Sequence, residues 1–209
     1  MRYLLIVLLL IFTGCSSKKL PNTWEHKSAS STKSYIHYYL QERDTLAKAE
    51  YKRAIKSAKQ SASLDTLAKI YLTKCSLNHL LYVEDSCQEY LEIKHLLDDK
   101  SLDNYYQFIS NKPFDSADLP EQYREFALTK DMTSKKKVLF EMESLYSQLL
   151  AASLIKDELN DKDILELLKR SSYHGYRRVN LVLLERLAQT TSSEKLKKES
   201  LEKIEILNR

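Results

Sequence analysis

Cys75, His79, Cys87 and His95 are the residues of this chain whose types and spacing could do chemistry. Two thiols can pair as a disulfide, or thiolates and imidazoles can hold a metal ion. A bridge between Cys75 and Cys87 needs Cα atoms within about 7 Å of each other, whereas one unbroken helix would hold them about 18 Å apart. The pairing therefore requires a turn inside Ser76–Ser86, and the helical pattern does break near Asn78–Asp85. Closing so short a loop stabilises a fold by about 3 kcal/mol in the chain-entropy picture. Cys75 and Cys87 are the disulfide candidate, with two buried free thiols as the alternative. For a metal, Cys75 and His79 stand one helical turn apart, a chelating spacing. Cys87 and His95 would lie about 12 Å apart along a single helix and cannot join the same ion. No metal ligands and no cofactor are expected from this pattern.

Around His26, His37, His79, His95 and His174 there is no G-x-S-x-G elbow and no H-E-x-x-H pair. The paired acids Asp98–Asp99 and Glu141 with Glu143 do not share a helix face and read as solvated surface. No catalytic residue is expected, and the chain is read as a non-enzyme. An active site assembled from distant residues is the alternative, since such sites leave no local motif. The most distinctive segment is Arg170-Ser171-Ser172-Tyr173-His174-Gly175-Tyr176-Arg177-Arg178. Tyrosine and arginine are enriched in binding hot spots, so Tyr173, Tyr176, Arg177 and Arg178 form a candidate binding surface. The competing reading is a helix–turn–helix corner, with Gly175 as a left-handed cap and Tyr176 entering the core.

These residues must be positioned by helices. Of 209 residues only two are glycine, Gly14 and Gly175. Phosphate-cradling loops need glycine where backbone meets ligand, so they are excluded, and tight β-hairpins are disfavoured. Basic and acidic residues (33 and 29, net charge +4) are interspersed, which leaves no nucleic-acid footprint. Apolar periodicity predicts an all-α chain. Helical pattern runs from about Ser34 to Gln60. Leu64, Leu67, Ala68, Tyr71, Leu72 and Cys75 then make the cleanest amphipathic stripe. A helix carrying Cys87, Tyr90, Leu91 and Leu97 follows, then a short aromatic one over Ser101–Ser110. Pro113 and Pro120 bracket a loop. Beyond it come Glu121–Thr129 and one long helix through Val138, Met142, Leu145, Leu149 and Ala152, with Thr133 or Ser134 as its N-cap. Helices from Asp161 or Asp163, through Tyr176 to Leu187, and from Ser193 to Leu207 complete the chain. Short connections predict antiparallel hairpins, stacked as a solenoid or as an irregular bundle. Ala49-Glu50-Tyr51-Lys52-Arg53-Ala54-Ile55, and Gly175-Tyr176 followed by Val179, resemble the tetratricopeptide repeat. That resemblance implies a concave surface for a protein or peptide.

The N-terminus carries one positive charge, then the apolar run Leu4–Phe12, then Thr13-Gly14-Cys15-Ser16-Ser17. A basic start, an apolar run of about 9 residues and small residues at its end fit a secretory signal. The run falls short of the roughly 20 residues that a spanning helix needs. Phe12-Thr13-Gly14-Cys15 resembles the lipobox of bacterial lipoproteins. The resemblance implies cleavage before Cys15 and lipid on its sulfur and new amine, which would attach the chain firmly to a membrane. Ser16, where an Asp would imply retention at the inner membrane, points to the outer membrane facing the periplasm. The expected organisation is a signal peptide over 1–14, a lipidated flexible tether over 15–33 and a helical domain over 34–209. Trp24 lies in the expected tether, placed either against the domain or at the membrane interface. The partners expected are the membrane, through the lipid, and an envelope protein or peptide, but not nucleic acid. A scaffold or assembly factor is the function this combination suggests.

Overall fold

A computed structural model describes residues 23–209; Cys15 and the expected signal peptide lie outside the described residues. The described chain is all-helical. Its eleven α-helices are α1 Thr23–Leu40, α2 Asp44–Gln60, α3 Leu64–Leu80, α4 Gln88–Ile93, α5 Lys100–Ile109, α6 Glu121–Leu128, α7 Met132–Glu141, α8 Leu145–Leu154, α9 Asp161–Tyr173, α10 Arg177–Thr190 and α11 Glu194–Leu207.

The helices pack around α3, whose Leu67, Ala68, Ile70, Leu72, Cys75, Ser76, Leu77 and Leu80 are all buried. The expected stripe covers only part of this set. Leu64, at its start, is exposed, while Ile70 and Leu77, on other faces, are enclosed. The one polar side chain in the group has its hydrogen bonds made: the Ser76 hydroxyl donates to the Thr73 carbonyl at 3.0 Å and also bonds the Tyr146 hydroxyl of α8. Helix α3 touches α1, α2, α4, α5 and α8, and α10 returns to touch α1. These contacts reach beyond helices adjacent in sequence, within an all-helical packing that fits either of the two arrangements expected, an irregular bundle or a solenoid.

The tether expected over 15–33 needs correction from residue 23 onward. Helix α1 begins at Thr23, Trp24 is partly buried in its first turn, and Ser28 is fully enclosed. The Ser28 hydroxyl donates to the Ala54 carbonyl of α2 at 3.3 Å. Ser28, which read as linker, is a small residue that lets two helix backbones approach closely. Ala47, Ala54 and Ala58 supply the matching face of α2.

The single pattern expected over Ser34–Gln60 is divided by a turn at Gln41–Arg43, where Glu42 takes φ +64°. The long helix expected through Val138 to Ala152 is likewise two helices. Its N-cap is Asp131, not Thr133 or Ser134: the Asp131 carboxylate accepts from the Ser134 N–H at 2.7 Å. Asn160 and Asp163 form a reciprocal capping box on α9, a motif that satisfies two otherwise orphaned backbone donors.

Cys75 and Cys87 are disulfide-bonded, with Cα atoms 5.2 Å apart. Helix α3 ends at Leu80, and the chain reverses over residues 81–86. Cys87 is the residue before α4 rather than a member of it. The Asp85 carboxylate fixes that approach by accepting from the Cys87 N–H at 2.7 Å and from the Asn78 amide at 2.6 Å. Reduction, or Cys75→Ser, is expected to lower stability by about 3 kcal/mol. Urea unfolding with and without a dithiol measures this, and equal midpoints would show that the bond constrains little.

Candidate functional site

The break between α7 and α8 builds an apolar-lined groove. Met142 turns extended, and the Ser144 side chain caps α8 by accepting from the Ser147 N–H at 3.4 Å. The break strands the last carbonyls of α7, which need new donors. Gln148 supplies them: its Nε2 donates to the Phe140 carbonyl at 3.3 Å and to the Met142 carbonyl at 3.1 Å. Arg170 of α9 adds a bond to Phe140 O at 3.0 Å while its Nε holds Glu166 at 2.8 Å. The result is a groove of about 510 Å³ between the start of α8 and the end of α9, lined by Met142, Leu145, Gln148, Arg170, Tyr173 and His174 among others. Gln148 is buried, and its Oε1 has no hydrogen-bond partner. Tyr173 stands at this groove 88% exposed, its ring 5.4 Å from that of His174.

The four residues expected to form one binding surface are divided. Only Tyr173 is presented to solvent. Tyr176 is half-buried between His174 and His37, with ring centroids at 5.5 and 5.8 Å. Arg177 pairs with Glu42 and also donates to the Leu207 carbonyl. Arg178 lies with Cζ 4.4 Å above the Tyr39 ring and pairs with Asp44 at 2.5 Å. Tyr176, Arg177 and Arg178 therefore fasten α10 onto α1 and α2, and their side chains are committed to that closure. Gly175 takes φ +66° in the turn before them, as the corner reading requires. Sequence reasoning missed Gln148, Met142 and Leu145 because it ran one helix through the break. The signal that could have found them is Ser144, a capping residue inside an apolar pattern.

A second concave surface, a cavity of about 710 Å³, has His79, Asp85, Tyr106, Lys112, Lys156 and Asp157 on its walls. Two of its acids are engaged: Asp85 binds Cys87 and Asn78, and Asp157 pairs with Arg186 at 2.7 Å; Glu84 also lines it. His79 meets Cys75 and Cys87, with one ligand-type atom from each residue lying within 4.8 Å of the others. His95, expected to be unable to join such a set, is exposed and stands apart from it. Burial pushes the His79 imidazole below its ordinary range, against an opposing pull from the Asp85 charge and backbone. Near the centre, Tyr105 and Tyr146 are held well above the usual phenol range, chiefly by burial.

Comparison with protein-family models, with curated proteins and with solved structures returned no match. No helix among the described residues is long and apolar enough to cross a membrane.

Two outcomes test this geometry. Gln148→Leu strips the bonds from two carbonyls at the break and is expected to cost about 1–3 kcal/mol in urea unfolding; an unchanged midpoint would mean that water replaces the amide freely. Burial holds the His79 imidazole below its ordinary range, so the unfolded chain binds its proton first as pH falls. The stability that follows is complete above about pH 6.5 and is lost progressively below it. His79→Asn should flatten that part of the pH–stability curve, whereas an identical slope would place the titration elsewhere.

Proposed function

We propose that this chain is a lipid-anchored bacterial envelope protein whose helical domain holds a protein or peptide partner in the groove between α8 and α9. The observation that supports binding best is Tyr173, almost wholly exposed beside a groove floored by Met142, Leu145 and Gln148. A large exposed aromatic over an apolar cleft with a few polar groups is the usual anatomy of a recognition site. Glu143, Lys169 and Arg170 give the groove charged walls for the polar backbone or side chains of a bound segment.

The anchoring half of the reading rests on Phe12-Thr13-Gly14-Cys15, with Cys15 as the lipidated residue. Ser16 favours the outer membrane, facing the periplasm. A role as scaffold or assembly factor for another envelope protein follows from pairing an anchor with a binding groove. The enzymatic alternative requires convergent acids or imidazoles free to act. In the larger cavity, Asp85 and Asp157 are bound to structural partners, which leaves Glu84 as its one acid without such a partner beside His79.

A photo-reactive amino acid at Tyr173 tests the groove in intact cells. It is expected to capture a discrete envelope partner, while the same group at Leu201, exposed on α11, should not. Capture of the same species from both positions would remove the groove from consideration. Cys15→Ser is expected to release the chain from membranes washed at alkaline pH while leaving its helical circular dichroism unchanged. A variant that stays membrane-bound would overturn the lipid anchor.

A further inference from the structure

Helix α3 places Cys75 and His79 on one face a turn apart, and the reversal over residues 81–86 brings Cys87 back to the same place. The three ligand-type atoms lie within 4.8 Å of one another. Around a tetrahedral zinc ion, thiolate ligands at about 2.3 Å are about 3.8 Å apart; in the oxidised chain the Cys75 and Cys87 sulfurs are bonded to each other, so reduction must let them part before they can share an ion. The His79 Nε2 is buried and has no hydrogen-bond partner. A buried polar atom left unpaired calls for an explanation, and an imidazole set beside two sulfurs offers one, a shared cation.

We propose that Cys75, His79 and Cys87 form a site for a thiophilic d10 cation such as Zn²⁺, one that exists only while the Cys75–Cys87 disulfide is reduced. Disulfide and metal compete for the same two sulfurs. A dithiol reductant opens the bond by exchange: two electrons and two protons pass to Cys75 and Cys87, and the dithiol closes to its own disulfide. The cation then displaces the two thiol protons and accepts the Nε2 lone pair, with its fourth position open to water from the cavity that His79 and Asp85 line. Two thiolates neutralise the divalent charge, so a buried ion needs no further acid. Soft sulfur ligands with one imidazole select zinc or cuprous copper over magnesium or calcium.

The test uses the full helical chain, reduced with a dithiol that is then removed without air. The probes are Co²⁺, whose thiolate charge-transfer and tetrahedral d–d bands report the ligand set, and Zn²⁺ in competition with a chromophoric chelator. The reduced protein is expected to take one equivalent of either and the oxidised protein none. His79→Ala should weaken Zn²⁺ binding by about tenfold or more, since even residues that merely orient a ligand carry 10–100-fold. His95→Ala should leave it unchanged. Zn²⁺ should also raise the melting temperature of the reduced native chain but not that of reduced His79→Ala. Failure of the reduced chain to bind, equal affinity in His79→Ala, or binding by the oxidised chain would each overturn the proposal. So would a reduced chain that loses its helical circular dichroism and does not recover it with Zn²⁺.

Discussion

The burial of α3 on nearly every face is the constraint from which the rest of this fold follows. A helix enclosed on all sides must be almost free of unsatisfied polar groups. The Ser76 hydroxyl, bonded to Thr73 and Tyr146, meets that condition and ties α8 to the centre. At the open end of α3, Asn78 accepts from the Tyr39 hydroxyl of α1 at 2.8 Å and donates to Asp85. Lys74 reaches Glu89 of α4 at 2.6 Å, and the same carboxylate oxygen accepts from Tyr51 of α2 at 3.1 Å. One helix thus fixes the register of four neighbours, and the disulfide adds a covalent stop where the chain leaves it.

The all-helical class was legible in the sequence because a nearly glycine-free, periodically apolar chain has few other solutions. The short helices Lys100–Ile109 and Glu121–Leu128 and the loop between Pro113 and Pro120 were legible for the same reason: their boundaries are marked by proline or a capping side chain. What misled the reading was turns made without glycine. Glu42 and Cys87, the two it missed, adopt left-handed backbone angles, as do Ala62, Tyr82 and Asn111 at breaks the sequence pattern did mark; only Asn among these residue types does so readily. Helix pairing enforces them, and pairing is not a local property. The same holds for α1, whose serine-rich start looks like a linker until Ala54 of another helix is set beside it.

The candidate sites were legible to different degrees. Cys75 and Cys87 could be paired on paper because loop length and the break near Asn78 bound the geometry. His79 was visible too, but Cys87 was assigned to a helix with His95, and that choice separated it from its neighbour in space. Placing Cys87 before α4 rather than within it rotates the thiol onto α3. The Tyr173–Arg178 segment was ambiguous for a plain physical reason: the residues enriched at interfaces, tyrosine and arginine, also clamp helices to one another inside a domain. Burial separates the two roles, leaving Tyr173 outward and Arg178 stacked on Tyr39.

That clamp bears on how an anchored domain would sit. Arg177 and Arg178 hold α10 on the turn between α1 and α2, so the C-terminal helices and α1 belong to one packed body. On the proposed anchor, the stretch between Cys15 and Thr23 would link the lipid to the described helices. Fully extended, it spans no more than about 30 Å. A lipid on Cys15 would keep the helices within one domain diameter of the membrane surface rather than at the end of a long leash. A partner for the groove between α8 and α9 would have to be met close to the bilayer. This favours envelope-embedded or membrane-proximal proteins over those free in the surrounding solution.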